Sequence, residues 1–216
     1  MSSTFRGWSE RALIFYEGLE ADNSKAYWQT HKDVYEHDVK APMEALLAEL
    51  ASEFGPPHFF RPQRDTRFSR DKSPYKTAMG ATIGDCYVQL SANGVMAGAG
   101  RYHLEAEELE RFRAAVAADR TGRALQEVVG AAAKAGLEVG AMESLKSAPR
   151  GYAKDHERIE LLRLKGLVAM RSWAPAAWLG TARAKQRVVD VFRSAAPLLA
   201  WLDANVGPSG SAGPRG

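Results

Sequence analysis

At 216 residues, with 45% hydrophobic and 25% charged residues, the chain has the size and composition of one globular domain with a sizeable core. Its one cysteine, Cys86, excludes an internal disulfide and suits a reducing compartment. A net charge of +3 argues against a uniformly basic nucleic-acid coat, no run approaches the roughly 18 apolar residues of a membrane span, and no apolar leader opens the chain, so the cytoplasm is the expected location.

The first helix is expected over 9–20, with Ser9 able to cap it and Leu13, Phe15, Tyr16 and Leu19 forming its apolar stripe. Asp22-Asn23-Ser24 breaks that helix and caps a second helical stretch, 24–53, whose Tyr27, Val34, Val39, Leu46, Leu47 and Leu50 point inward. Pro42 either kinks this stretch or opens a separate helix as a first-turn residue. Trp8, Trp28 and Tyr35 read as packing aromatics. Phe54-Gly55-Pro56-Pro57 ends the helical quarter.

Residues 58–80 then carry Arg61, Arg64, Arg67, Arg70, Lys72 and Lys76 against Asp65 and Asp71, with neither a helical period nor strand alternation. Strands are expected at 77–83 and 86–91, where Tyr87, Gln89 and Ser91 alternate with Val88 and Leu90. Asn93-Gly94 is a strong hairpin turn signal, and 95–102 answers as the partner strand. Gly98 and Gly100 within it mark close approach of a ligand, another backbone or a packed helix.

Helices follow at 104–118 and 123–135, joined by Asp119-Arg120-Thr121-Gly122 and closed by Gly136. Short strands are expected at 137–139 and 144–148, a turn at Pro149-Arg150-Gly151-Tyr152, a helix at 157–164, a strand at 166–173 and a terminal helix at 181–205. The Gly-, Ser- and Pro-rich residues 207–216 are expected to be disordered. Helices, then strands, then helices give an α+β class: a single domain over 1–206, with an N-terminal helical hairpin and helices packed on an antiparallel sheet. Strict βα alternation is missing, which excludes a Rossmann-type fold.

Charge is unevenly spread. Residues 57–76 carry a net +4 and residues 145–165 a net +3, so the rest of the chain carries −4. Two basic segments on an acidic body point to a localised anion site. Arginine offers a rigid fork that binds carboxylate or phosphate through paired, charge-assisted hydrogen bonds. Asp65 and Asp71 can orient only part of this set, and the surplus must face solvent or an anionic ligand. In the second segment Arg150, Tyr152 and His156 fall at a turn and a helix start, where free backbone N–H groups favour anions. His156 is the residue suited to acid–base work, and Tyr75 and Tyr152 can donate hydrogen bonds or stack on a ring.

Other chemistries drop out. The chain has no Walker loop, no strand-to-helix glycine fingerprint and no nucleophile elbow. His31, His37, His58, His103 and His156 lack metal-ligand spacing, so no metal is expected, and no cofactor can be named. Cys86 has no partner and falls in a strand, where it reads as a small core residue.

The pattern Arg61-x-x-Arg64-Asp65-x-Arg67-Phe68-x-x-Asp71-Lys72-x-x-Tyr75 resembles the signature of a widespread bacterial family of conserved hypothetical proteins, a domain of unknown function. The resemblance extends over 5–205 and includes Gly7-Trp8, Asn23-Ser24-Lys25-Ala26-Tyr27-Trp28, the Gly98-Ala99-Gly100 strand, and Leu145-Lys146-x-x-Pro149-Arg150-Gly151-Tyr152 with Asp155-His156. It implies the extent of the domain and which segments matter, and it brings no reaction.

Three functional expectations stand. The first is binding of an anionic, phosphate-bearing small molecule or nucleic acid through Arg61, Arg64, Arg67, Lys72, Tyr75, Lys76, Arg150 and Tyr152, oriented by Asp65 and Asp71. The second is an enzyme acting on a phosphorylated or nucleotide-like substrate, with His156 as acid or base. The third is a structural or interaction protein in which the Arg/Asp motif is an internal salt-bridge staple.

Overall fold

The structure, a computed structural model, describes residues 4–67 and 70–207. The helices are α1 (Glu10–Ala21), α2 (Lys25–Val34), α3 (Ala41–Phe54), α4 (Ala106–Ala117), α5 (Asp119–Lys134), α6 (Ile159–Leu162) and α7 (Arg183–Val206). The strands are β1 (Pro57–Phe59), β2 (Ala78–Ile83), β3 (Cys86–Ser91), β4 (Gly94–Arg101), β5 (Glu138–Gly140) and β6 (Leu167–Trp173). They form an antiparallel sheet in the order β1-β2-β3-β4-β6-β5, so the α+β reading holds. Of the described residues, 4–97 with 172–190 make one compact unit and 98–171 with 191–207 another.

In the first unit the N-terminal helices pack their apolar stripes together. Phe15, Tyr16, Leu19, Trp28 and Tyr35 are buried, and Phe15 meets Tyr16, Trp28 and Tyr35 at ring separations of 5.1–5.8 Å. Ser24 caps α2 as expected, its Oγ accepting from Tyr27 N–H at 3.1 Å. Ser9 does not cap α1: its Oγ donates to Asp38 Oδ1 at 2.7 Å instead. Between α2 and α3 the backbone widens into a π-helix, Tyr35–Lys40, and Pro42 falls in the first turn of α3. Strand β1 was not expected; it is a short edge strand, largely exposed and too brief to show alternation.

The β2–β3 register pairs Ala81 with Val88 and Met79 with Leu90, all buried. Their neighbours Thr82, Tyr87 and Gln89 project to the other face and are half-exposed. Buried Cys86 lies in β3 among the inward residues.

In the second unit the glycines of β4 answer the question left by the sequence. A Cβ on Gly98 would lie 2.9 Å from Ala169 O, and one on Gly100 would lie 2.3 Å from Leu167 O. Another backbone, strand β6, takes the space. Phe112 and Trp201 pack edge to face at 6.0 Å, and Trp201 Nε1 donates to Thr121 O at 3.0 Å. Helix α5 begins at Asp119, so the expected link reduces to Ala118. The expected strand at 144–148 is only the bridge of Ser144 with Leu164, and the helix expected at 157–164 shrinks to four residues. The end of α7 is held by two arginines: Arg111 Nε donates to Val206 O at 2.6 Å, and Arg101 Nη2 donates to Asp203 Oδ1 at 2.7 Å and to Gly207 O. The expected disorder of the tail concerns residues that, beyond Gly207, lie outside those described.

Candidate functional site

The arginine-rich stretch of the first unit is a loop with a closed base. Gln63 bridges Tyr75, with Arg64 N–H donating to Pro74 O at 2.9 Å and Lys76 N–H donating to Pro62 O at 2.8 Å. Two anchors fix that base to the helices. Asn23 Oδ1 accepts from Tyr75 N–H at 3.0 Å and its Nδ2 donates to Tyr75 O at 3.1 Å. The buried Tyr75 ring stacks on Trp28 at 4.3 Å and 6°. Tyr75 is therefore occupied by packing, and its ring is not presented to a ligand.

The loop's carboxylates hold part of its charge. Arg64 Nη1 donates to Asp71 Oδ2. Ser73, through hydroxyl and backbone N–H, and then Arg64 hold the Asp71 carboxyl down to about 2. Arg67 Nη2 and Nε donate to Asp65 at 2.6 and 2.9 Å. The Arg67 hydrogen bonds, aided by the Arg61 charge, keep Asp65 well below the usual carboxylate range. Lys72 Nζ donates to Thr66 O at 2.9 Å. Each of these pairs is exposed or half-exposed, where solvent screens the attraction and ordering two side chains offsets most of it. As a staple they are weak. Phe68 of the motif lies outside the described residues.

Arg61 and Lys76 remain at the base, beside the Asp71-paired Arg64. Lys76 is half-buried, with Nζ 5.5 Å from the Phe60 ring centroid. Burial first, then the positive charges of Arg61 and Arg64, push its ammonium pKa down. Among the described residues, neither Arg61 nor Lys76 has a carboxylate within 4.0 Å.

The second basic segment belongs to the second unit. Arg150 is exposed and Tyr152 half-exposed, with Tyr152 N–H donating to Pro149 O at 3.2 Å. His156 Nδ1 accepts from Arg158 N–H at 3.0 Å, which leaves Nε2 as the ring position open to chemistry. The segment's dominant residue is one the sequence reading passed over. Arg158 is 3% exposed; its Nε donates to Val116 O at 2.7 Å, its Nη2 to Ala117 O at 3.0 Å, and its Nη1 to Glu157. It closes the C-terminus of α4, where the helix dipole favours a cation. Gly122 makes room for it: a Cβ there would lie 2.4 Å from Arg158 Nε and 2.2 Å from Val116 O.

Among the described residues no group of three His, Cys, Asp or Glu is placed to hold a metal ion, and no helix is long and apolar enough to cross a membrane. Fold and loop together define an α+β protein with a cation-rich loop pinned to its N-terminal helices. The chain belongs to the family described as conserved hypothetical protein (DUF2461), which matches residues 11–201. No curated protein and no solved structure matches it.

Proposed function

We propose that the protein binds a phosphate-bearing anion at the base of this loop, through Arg61, Arg64 and Lys76. The observation that carries the reading is the position of Lys76, half-buried and beside two arginines that push its pKa down. Holding like charges together costs free energy in the unliganded protein, and an anion at the base relieves that cost. Guanidinium forks suit phosphate, and an ammonium adds a point charge. Asp65 pairs with Arg67 and Asp71 with Arg64, which leaves Arg61 and Lys76 at the base without a carboxylate partner among the described residues. Arg61 and Lys76, without a carboxylate partner among the described residues, lie together at the base, which favours a small anion over a nucleic-acid track. A cytoplasmic setting fits the lone, buried Cys86.

The test is calorimetric titration of the full chain with inorganic phosphate and pyrophosphate at two salt concentrations. Saturable binding that weakens about tenfold in Arg61→Ala, with the melting temperature unchanged, is the expected result. Binding that is absent, or equal in both proteins, removes the proposal.

A further inference from the structure

Beside the cation cluster, the outer face of β2 and β3 carries a row of side chains that anion binding alone does not require. Thr82 pairs with Tyr87 and Gly80 with Gln89, so these four share a face. The Tyr87 ring crosses Gly80: a Cβ there would lie 2.3 Å from Tyr87 Oη, 2.9 Å from Cζ and 3.0 Å from Cε2. Only glycine at position 80 lets the ring lie low across the strands. Tyr87 Oη donates to Gln89 Oε1 at 2.7 Å, and the Gln89 amide NH2 has no partner among the described residues. Phe60, whose N–H donates to Gly80 O at 3.1 Å, sets its ring 6.2 Å from that of Tyr87. Lys76 sits over Phe60 in turn. A cation, two aromatic rings and an amide thus follow one another across the sheet, and Phe60, Tyr87 and Gln89 are all half-exposed.

We propose that this row is the ring subsite of the same site, and that the ligand is a mononucleotide. Its phosphate meets Arg61, Arg64 and Lys76, its heterocycle lies on Tyr87 and Phe60, and a ring carbonyl accepts from the Gln89 amide. The inference rests on the anion-binding reading above. Aromatic faces bind bases through stacking, and a primary amide reads a base edge. A single nucleotide fits better than a strand because Arg67 and Lys72, two of the loop's cations, are engaged within the loop.

The experiment titrates the full chain by calorimetry with pyrophosphate, ribose 5-phosphate, purine and pyrimidine nucleoside mono- and diphosphates, and an oligonucleotide. Nucleotides are expected to bind at least about tenfold more tightly than ribose 5-phosphate, the gain expected of one stacked ring. Tyr87→Leu loses that gain and keeps pyrophosphate binding, while Tyr87→Phe keeps both. Gln89→Leu, at a half-exposed position, changes the ranking of bases, and Tyr87→Phe, which keeps the ring, guards against a folding defect at Tyr87. Equal affinity for nucleotide and ribose 5-phosphate overturns the ring subsite and leaves the anion site standing. Failure of pyrophosphate and of every nucleotide to bind overturns both. Binding of the oligonucleotide alone, with steep salt dependence, overturns the mononucleotide assignment.

Discussion

Asn23 grips Tyr75 at both faces of one residue: its side-chain oxygen takes the Tyr75 N–H at 3.0 Å, and its nitrogen gives to the Tyr75 carbonyl at 3.1 Å. The amide imitates a neighbouring strand, at the turn between α1 and α2. It registers the base of the cationic loop against the helices. Asn23→Ala is expected to cost about 1–3 kcal/mol, two hydrogen bonds at typical net values. It should also weaken pyrophosphate binding more than that loss of stability explains. Chemical denaturation and calorimetry on the same variant measure the two effects.

The loop's arginines should differ in importance. Arg61 has no carboxylate partner among the described residues, whereas Arg67 is committed to Asp65 and its side chain is 77% exposed. Arg61→Ala should cut anion affinity about tenfold; Arg67→Ala should change affinity by less than about threefold and leave stability nearly unchanged. Parallel titrations of the two variants would reverse this ranking if the anion sits at the loop tip.

Arg158 should be the most costly arginine to remove. Arg158→Ala leaves the Val116 and Ala117 carbonyls without their donor, and each buried acceptor left unsatisfied costs about 1–3 kcal/mol. Arg158→Lys should recover little, because an ammonium lacks the planar fork that reaches both carbonyls. Gly122→Ala should be destabilising by about 1–3 kcal/mol, through collision with the same guanidinium and with Val116 O. Thermal or urea unfolding ranks the three.

Acid stability should depend on Glu49. Its carboxylate accepts from Lys185 Nζ at 2.6 Å and from Phe5 N–H at 2.7 Å, and these contacts lower its pKa below the ordinary 4.5. A carboxyl depressed in the folded state stabilises fully above its unfolded value and loses that contribution as pH falls through its folded value. Wild type should therefore lose stability below about pH 4.5 more steeply than Glu49→Gln. The variant should be less stable at pH 7 by about 2 kcal/mol, as expected for hydrogen bonds to a charged group. Unfolding free energy followed from pH 7 to pH 3 shows whether the two curves converge.

Cys86 should be chemically silent in the native protein. Burial, with the Asp85 charge behind it, pushes its thiol up to about 12, so thiolate is scarce at neutral pH. Reaction with an aromatic disulfide reagent at pH 7.5 should be slow and should track global unfolding. Rapid native-state labelling would contradict the burial.

Some of this architecture was legible in the chain. Alternation in 86–91 and the Asn93-Gly94 turn placed the hairpin, because period-two burial is written directly into one strand. Strand β1 was not legible, since three exposed residues at a sheet edge carry no period. The π-helix was hidden because its side chains continue a helical pattern. The link over 119–122 was misread because Gly122 looked like a breaker, while its actual constraint is a guanidinium from far along the chain. At the site, the charge was visible and its pairing was not. Which aspartate holds which arginine depends on loop closure, and Tyr75 proved to be an anchor because Trp28 lies beneath it. Tyr87 and Gln89 were visible as outward residues, but only the β1–β2 pairing brings Phe60 next to them.

The two arginines at the end of α7 set an order of events on the ribosome. Arg101 reaches Gly207 across 106 positions and Arg111 reaches Val206 across 95. A nascent chain emerges N-terminus first, so both guanidiniums leave the exit tunnel well before the carbonyls they hold. Helices α4 and α5 can form while translation proceeds, but their unit waits for the last described residues before it can close. Until then Phe112 lacks its Trp201 partner, and its apolar surface stays exposed.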